Sequence, residues 1–284
     1  LANDWNKNYA NDCSRAKIVN PSSTSSTSNI GLITGGTITA REQLGRELWT
    51  SNGSIDGLQL VLDINPGAAS SNPTAITPIN NSIYFSADDG THGEELWVSD
   101  GTPSGTERLT DLNKGTKNSS PRDITERNGS IYFSGIKQTV GRELWRLDPS
   151  DPKTSLARVV SSGSGPKTLR ATRKTRDAFT FDISNEFGGR QADRIINFNT
   201  SDNDQFHLDK DIFQDLTNIN LATVSTKRQL KTEQEQTSNI IYFEPKGQLY
   251  FDRNDDQPGY GKNAGLFAIL KGGPDLTESD FKII

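Results

Sequence analysis

The chain has 284 residues, of which 31% are hydrophobic, and carries 31 Lys and Arg against 36 Asp and Glu for a formal net charge of −5. That length is enough for two domains of ordinary size. The acidic balance excludes a global positive field that would recruit nucleic acid or an anionic membrane, and no apolar run approaches the roughly 18 residues of a membrane span.

The mean hydropathy is −0.66, and Gly, Ser, Thr and Asn are abundant. This suits short strands joined by many turns and disfavours a large helical core. Cys13 is the single cysteine, so no intramolecular disulfide forms. The chain contains no methionine, from which a fragment or a processed form is expected. Leu1 to Tyr9 is polar and reads as no signal peptide.

Residues 1–29 lack periodicity and are expected to form a mobile leader, because the Pro/Ser/Thr tract from Pro21 to Ser28 has little apolar surface to bury. Ile30 to Ala40 is expected to give one or two strands of a degraded first repeat. The repeat then becomes explicit. Glu47-Leu48-Trp49 returns as Glu95-Leu96-Trp97 and Glu143-Leu144-Trp145, at an interval of 48 residues. Ile83-Tyr84-Phe85 with Ile131-Tyr132-Phe133, Asp63 with Asp111, Gly67 with Gly115 and Pro73 with Pro121 keep the same interval. A fixed period of this size implies stacked or radially arranged units, none able to bury its apolar face alone.

The middle unit predicts four strands: Ser82–Ser86, Glu95–Ser99, Glu107–Leu112 and Arg122–Glu126. Turns at Asp88 to Gly93 and Asp100 to Thr106 separate them, with Asp supplying local hydrogen bonds and Gly positive φ. Four antiparallel strands in about 48 residues fit one propeller blade. Glu95-Leu96-Trp97-Val98-Ser99-Asp100-Gly101-Thr102, preceded by Tyr84 to Gly90, resembles the ELWxxDGT repeat of bacterial secreted proteins. The first unit departs with Asn52 and Ser54, and the third with Pro149-Ser150. Residues 30–151 are therefore expected to be a propeller-like module of three units. Closed propellers take about four to eight blades, which leaves further upstream blades or an open three-unit stack.

Residues 152–176, with the Ser161 to Pro166 tract and the basic run from Lys167 to Arg176, read as a solvated linker, the alternative for the run being a binding patch. Beyond it, strands are expected at Asp177–Asp182, Arg194–Phe198, Gln205–Asp209, Ile240–Glu244, Gln248–Asp252 and Gly265–Leu270, a short helix over Asp211–Leu221 and a loop over Lys227–Asn239. Asp177-Ala178-Phe179-Thr180-Phe181, Ala192 to Asn199, Asp204 to Leu208, Gly247 to Asp252, Ala264 to Leu270 and Pro274 to Ile284 resemble the C-terminal region of RTX-type secreted proteins. The fold class expected for the whole chain is thus all-β: propeller-like four-stranded units followed by a smaller β-rich domain, 177–284, resembling an RTX β-roll cap. The resemblance implies calcium binding, a secreted or cell-surface location, and export by the type I (ABC-transporter) machinery through the C-terminus, where Asp280-Phe281-Lys282-Ile283-Ile284 looks like such a signal. The Gly-Gly-x-Gly-x-Asp nonapeptides of the β-roll itself are missing.

Calcium takes hard oxygen ligands from clustered Asp and Asn. Asp252, Asn254 and Asp256 are spaced to converge on one ion, or to form a solvated Asx turn. Asp88, Asp89 and Asp100 in the blade turns are further candidates, for which capping of turn amides without any metal is the stronger reading. Asp193, Asn197, Asp202 and Asp204 form a third group. Catalysis has little support. His92 and His207 lie in no zinc pattern, Cys13 lies in the leader, and no G-x-S-x-G occurs. Trp49, Trp97 and Trp145 suit packing between units, or stacking on sugars. The expected protein is non-enzymatic and calcium-associated, acting in adhesion, a surface layer or a matrix, with cell-surface glycans or matrix as partners. The alternatives are the non-catalytic C-terminal part of a larger secreted hydrolase and a carbohydrate-binding propeller.

Overall fold

The computed structural model describes residues 17–19, 29–32, 44–51, 58–161, 165–181, 187–188, 191–253, 257–261 and 264–284. Its chain divides into two compact units, Leu1–Leu156 and Ala157–Ile284. Both are mainly β among the described residues. The Pro21–Ser28 tract and Cys13 lie outside them.

In the first unit, β1 (Lys17–Val19), β2 (Asn29–Leu32), β3 (Leu48–Ser51) and β4 (Leu58–Leu62) form one antiparallel meander. A second follows from β5 (Thr74–Ile79), β6 (Ser82–Asp88), β7 (Glu94–Ser99) and β8 (Glu107–Arg108). In the third, β9 (Arg122–Arg127), β10 (Ser130–Lys137) and β11 (Gly141–Leu147) pair in the same order. A strand at Lys17–Val19 thus lies within the stretch read as a leader.

Two details differ from the sequence reading. The strand at Arg122–Arg127 does not end the second sheet; it opens the third, turning into β10 through Asn128 and Gly129, both at positive φ, the backbone that a tight hairpin demands. The strand from Glu107 stops at Arg108. Beyond it, Thr110 Oγ1 accepts the Leu96 N–H at 3.0 Å and donates to Glu95 at 2.6 Å, so a hydroxyl replaces a ladder carbonyl.

Successive residues of a strand face opposite sides, and the middle sheet uses both. Ile83, Phe85, Ala87 and Trp97 pack with Leu48, Val61, Ile64 and Ile76 toward the first sheet. Tyr84 and Leu96 pack with Leu109, Leu112, Ile124, Ile131, Phe133, Trp145 and Leu147 toward the third. Apart from Ala87, every member of the first cluster has its counterpart 48 residues on in the second. The period in the sequence is the period of this sheet-on-sheet core.

The second unit follows a different plan. Its strands are β12 (Ala157–Ser161), β13 (Thr168–Arg170), β14 (Asp177–Phe181), β15 (Asp193–Ile196), β16 (Gln205–Leu208), β17 (Leu221–Val224), β18 (Ile240–Phe243), β19 (Gln248–Phe251), β20 (Gly265–Lys271) and β21 (Phe281–Ile283). β12, β14, β16 and β21 lie side by side, all parallel. β13, β15 and β20 are parallel in a second sheet, which continues through antiparallel β19 and β18 to β17. From β12 to β16 the chain steps from one sheet to the other with each strand, winding in coils. Phe179, Phe206 and Phe281 occupy one ladder position in three neighbouring strands. Their rings adjoin, tilted with centroids 6.3 Å apart for the first pair and stacked at 4.9 Å for the second. They enter one apolar core with Phe181, Ile195, Phe213, Phe251 and Phe267.

Residues 157–161 and 168–170, read from the sequence as linker, are the first coil of this unit. Asp211–Leu221 forms turns rather than a helix; Phe213 and Leu216 are drawn into the core, and Leu221 begins β17. Within the stretch read as a loop, Lys227–Glu233 is a helix, α1. It opens on a capping box in which Gln229 N–H donates to Thr226 and the Gln229 side chain accepts from the Thr226 amide.

Candidate calcium sites and buried carboxylates

Turn geometry places the first group of acidic candidates. Asp88 Oδ1 accepts the Gly90 amide at 2.7 Å. Asp89 Oδ1 accepts the amides of Thr91 and His92, and Oδ2 lies 2.7 Å from His92 Nδ1. Burial pushes the Asp89 carboxyl up, but the hydrogen bond from His92 and the two amides outweigh it and hold the group below its ordinary range. Asp100 Oδ1 accepts the hydroxyl of Thr102 at 2.7 Å and its amide at 2.9 Å, which lower its pKa. Each of these three carboxylates thus caps its own turn.

Asp252 stands just after β19, is 2% exposed, and donates its amide to the Asn239 carbonyl at 2.9 Å. Asn254 and Asp256 lie outside the described residues. In the third group, Asp202 Oδ2 accepts the Lys174 amide and the Asn199 side chain, while Asn197 takes a left-handed φ of 63°. Among the described residues, no three His, Cys, Asp or Glu side chains gather as a metal site would require.

Two carboxylate systems have roles that the sequence reading did not assign, although Asp193 and Asp204 of the second were among its calcium candidates. The first belongs to the repeat. Glu47 and Glu95 are both fully buried. Glu47 accepts the amides of Ile64 and Ser71 at 2.8 and 2.9 Å, and the Ser71 hydroxyl at 2.6 Å. Glu95 accepts the Leu112 amide at 3.1 Å and the Thr110 hydroxyl. Ile64 and Leu112 are one repeat apart, so the Glu of each motif pins the connector that follows it. Burial raises the pKa of both groups despite these donors. The signal was present in the repeated Glu, but its partners lie too far along the chain to be named from spacing.

The second system locks the coils. Asp177 accepts Arg158 Nε at 2.7 Å and the Thr172 amide. One coil on, Asp204 accepts the Asn199 amide through Oδ2 and the Asp177 amide through Oδ1, both at 2.9 Å. Asp193, fully buried at the start of β15, accepts the Lys167 amide at 2.6 Å through Oδ1, and its Oδ2 has no hydrogen-bond partner among the described residues. Burial drives Asp204 up to about 7, with the nearby charges of Asp177 and Asp202 adding to it, and Asp193 up to about 6.

His207 is buried in β16, and His92 sits in the turn it shares with Asp89. Trp97 and Trp145 are core residues at 7% and 2% exposure, donating Nε1–H to the carbonyls of Ala87 and Gly135. Neither offers a face to a sugar. No helix among the described residues is long and apolar enough to cross a membrane. A scan against protein-family models and a search of curated proteins each return no match for this chain.

Proposed function

We propose that this is a non-enzymatic, secreted or cell-surface protein in which a propeller-like repeat module presents a binding surface and a calcium-associated β-roll-like unit supports it. Adhesion, or association with a surface layer or matrix, is the role that fits. The observation that carries the reading is the run of strands β12 to β16, which alternate between two sheets and pair in parallel within each. Such winding supports a β-roll-like reading, and it begins within a stretch that sequence alone assigned to a linker. Calcium would be held at the loop begun by Asp252, with Asn254 and Asp256, and would stabilise the native state because the unfolded chain lacks the assembled site. Export through a type I machinery accords with Asp280 to Ile284. Phe281 is buried in β21, so recognition of that segment would precede folding.

The test is a calcium titration of the full chain with and without chelator, followed by far-UV circular dichroism and by tryptophan fluorescence. All four tryptophans lie before Leu156, so fluorescence reports the repeat unit alone. The expected result is a thermal midpoint that rises with calcium in the dichroism and is lost in Asp252→Ala. A chain whose midpoint is the same in chelator would remove calcium from the reading.

A further inference from the structure

Three parallel strands of the second unit carry positive charge on the side away from the core. Leu169, Ile195 and Leu270 share one ladder row across β13, β15 and β20 and belong to the core. Successive side chains of a strand point to opposite faces, so Thr168 and Arg170, Arg194 and Ile196, and Ile269 and Lys271 face outward. Their burial agrees: Arg170, Arg194 and Lys271 are exposed, and Ile196 and Ile269 are half-buried. Arg170, Ile196 and Lys271 lie in register across the three strands, and Arg194 lies in register between Thr168 and Ile269. Neighbouring strands are about 4.8 Å apart, so the three cations form a triangle roughly 10 Å across.

No acidic side chain balances them on these strands. β13 and β20 contain no Asp or Glu, and the one in β15, Asp193, is buried. None of the three cationic side chains makes an ion pair or hydrogen bond among the described residues. The chain as a whole carries −5, so this face is opposite in sign to the molecule that bears it. Of the three, only Arg170 belongs to the basic run read from the sequence; strand pairing brings Arg194 and Lys271 beside it.

We propose that this face binds an acidic polysaccharide, with Arg170, Arg194 and Lys271 meeting separate carboxylate or sulfate groups along it. Spread charges fit a polymer of repeated anions, whereas a single phosphate needs donors converging on one point. The planar fork of arginine pairs two oxygens of one anionic group at once. Ile196 and Ile269, lying between the cations, offer apolar ground to the C–H faces of sugar rings. Nucleic-acid bases would need outward aromatic side chains to stack on, and the only aromatic residue of the three strands, Phe267, is in the core. An acidic peptide added as a strand would pair along a sheet edge, whereas these cations stand on a face. The choice of a glycan rests on the proposed surface or matrix role; the cationic face does not.

The test is retention of the full chain, in calcium, on immobilised dextran sulfate and on hyaluronate, with neutral dextran as control. The expected result is retention on at least one acidic polymer and none on dextran, weakening as salt rises because exposed charges are screened. Arg170→Gln, Arg194→Gln and Lys271→Gln each weaken it by up to about fivefold, and the triple variant loses it. Removing three exposed charges from helix α1 instead, by Lys227→Gln, Arg228→Gln and Lys231→Gln, leaves it intact. Dichroism melts of all variants are expected to match the wild type; if the triple variant melts lower, the single variants decide. A wild-type chain that is not retained, binding that survives the changes at this face, or equal loss in the two triple variants overturns the face as a site. Equal retention on polyglutamate, single-stranded DNA or phosphatidylserine vesicles overturns the glycan as its partner. The calcium dependence of the melt is a separate reading, so failure here leaves the calcium proposal standing.

Discussion

Glu95 carries more of the repeat than its place in a three-residue motif suggests, because its carboxylate satisfies the Leu112 amide and the Thr110 hydroxyl at once. A buried amide left unpaired costs about 1–3 kcal/mol, so Glu95→Ala should lower the stability of the first unit by about that amount, read as a fall in the urea midpoint of tryptophan fluorescence. Glu95→Gln, which keeps an acceptor in place, should recover part of the loss. The buried aspartates of the coil make a prediction of the opposite kind. Asp204 and Asp193 bind a proton more tightly folded than unfolded, since burial raises them to about 7 and about 6 from 3.8. Their stabilisation is therefore whole below about pH 4 and is lost as pH rises through their folded values. In chelator, the dichroism midpoint of the second unit should fall between about pH 4 and pH 7 by this contribution, and Asp204→Asn should flatten that dependence. Neither role was legible beforehand. The sequence shows an acidic residue in a turn or at a strand start, but whether it meets amides, a cation or water depends on chain segments far away in the sequence.

At the scale of the element, the motif glycine shows why one residue type repeats. Gly93 has φ +69°, and a Cβ there would lie 2.7 Å from the Lys117 carbonyl carbon. Gly141 shares the positive φ but faces open space. Gly93→Ala should therefore cost more than Gly141→Ala. The backbone conformation alone is worth about 1–2 kcal/mol, and only at Gly93 must a neighbouring backbone also move; chemical unfolding of the two variants separates the terms. Strands with alternating aromatic and β-branched residues, such as β6 and β10, were readable because local chemistry decides them. The boundary of a sheet was not, since a repeat gives a period without an origin, and the strand at Arg122 pairs forward rather than back. The coil strands β12 and β13 were hidden for another reason. They are three to five residues long, and their partners in a parallel sheet are reached only after a crossover. Helix α1 was missed because none of its residues is fully buried and Leu230 alone packs against a small apolar cluster; the Thr226–Gln229 capping box was its one local sign.

For the whole molecule, the two units distribute their contacts differently along the chain. Each cluster of the repeat unit joins one sheet to the next, so its stability should approximate a sum over neighbouring pairs. The second unit is closed by two long-range pairings, β15 with β20 and β16 with β21, and in the second Phe206 meets Phe281. Phe281→Ala removes the ring that stacks on Phe206 at 4.9 Å. A truncation of this size in a core costs about 3–5 kcal/mol, and it should appear as a lower dichroism midpoint with the tryptophan transition unmoved. The pairing also sets an order of events. A chain that emerges amino-terminus first can stack its repeat sheets as they arrive. Its second unit, however, keeps the outer edge of β16 bare until Phe281–Ile283 is out. Completion of this unit is thereby tied to the arrival of a strand far downstream of β16, and a chain held before that strand docks would wait, half built, with that edge unsealed.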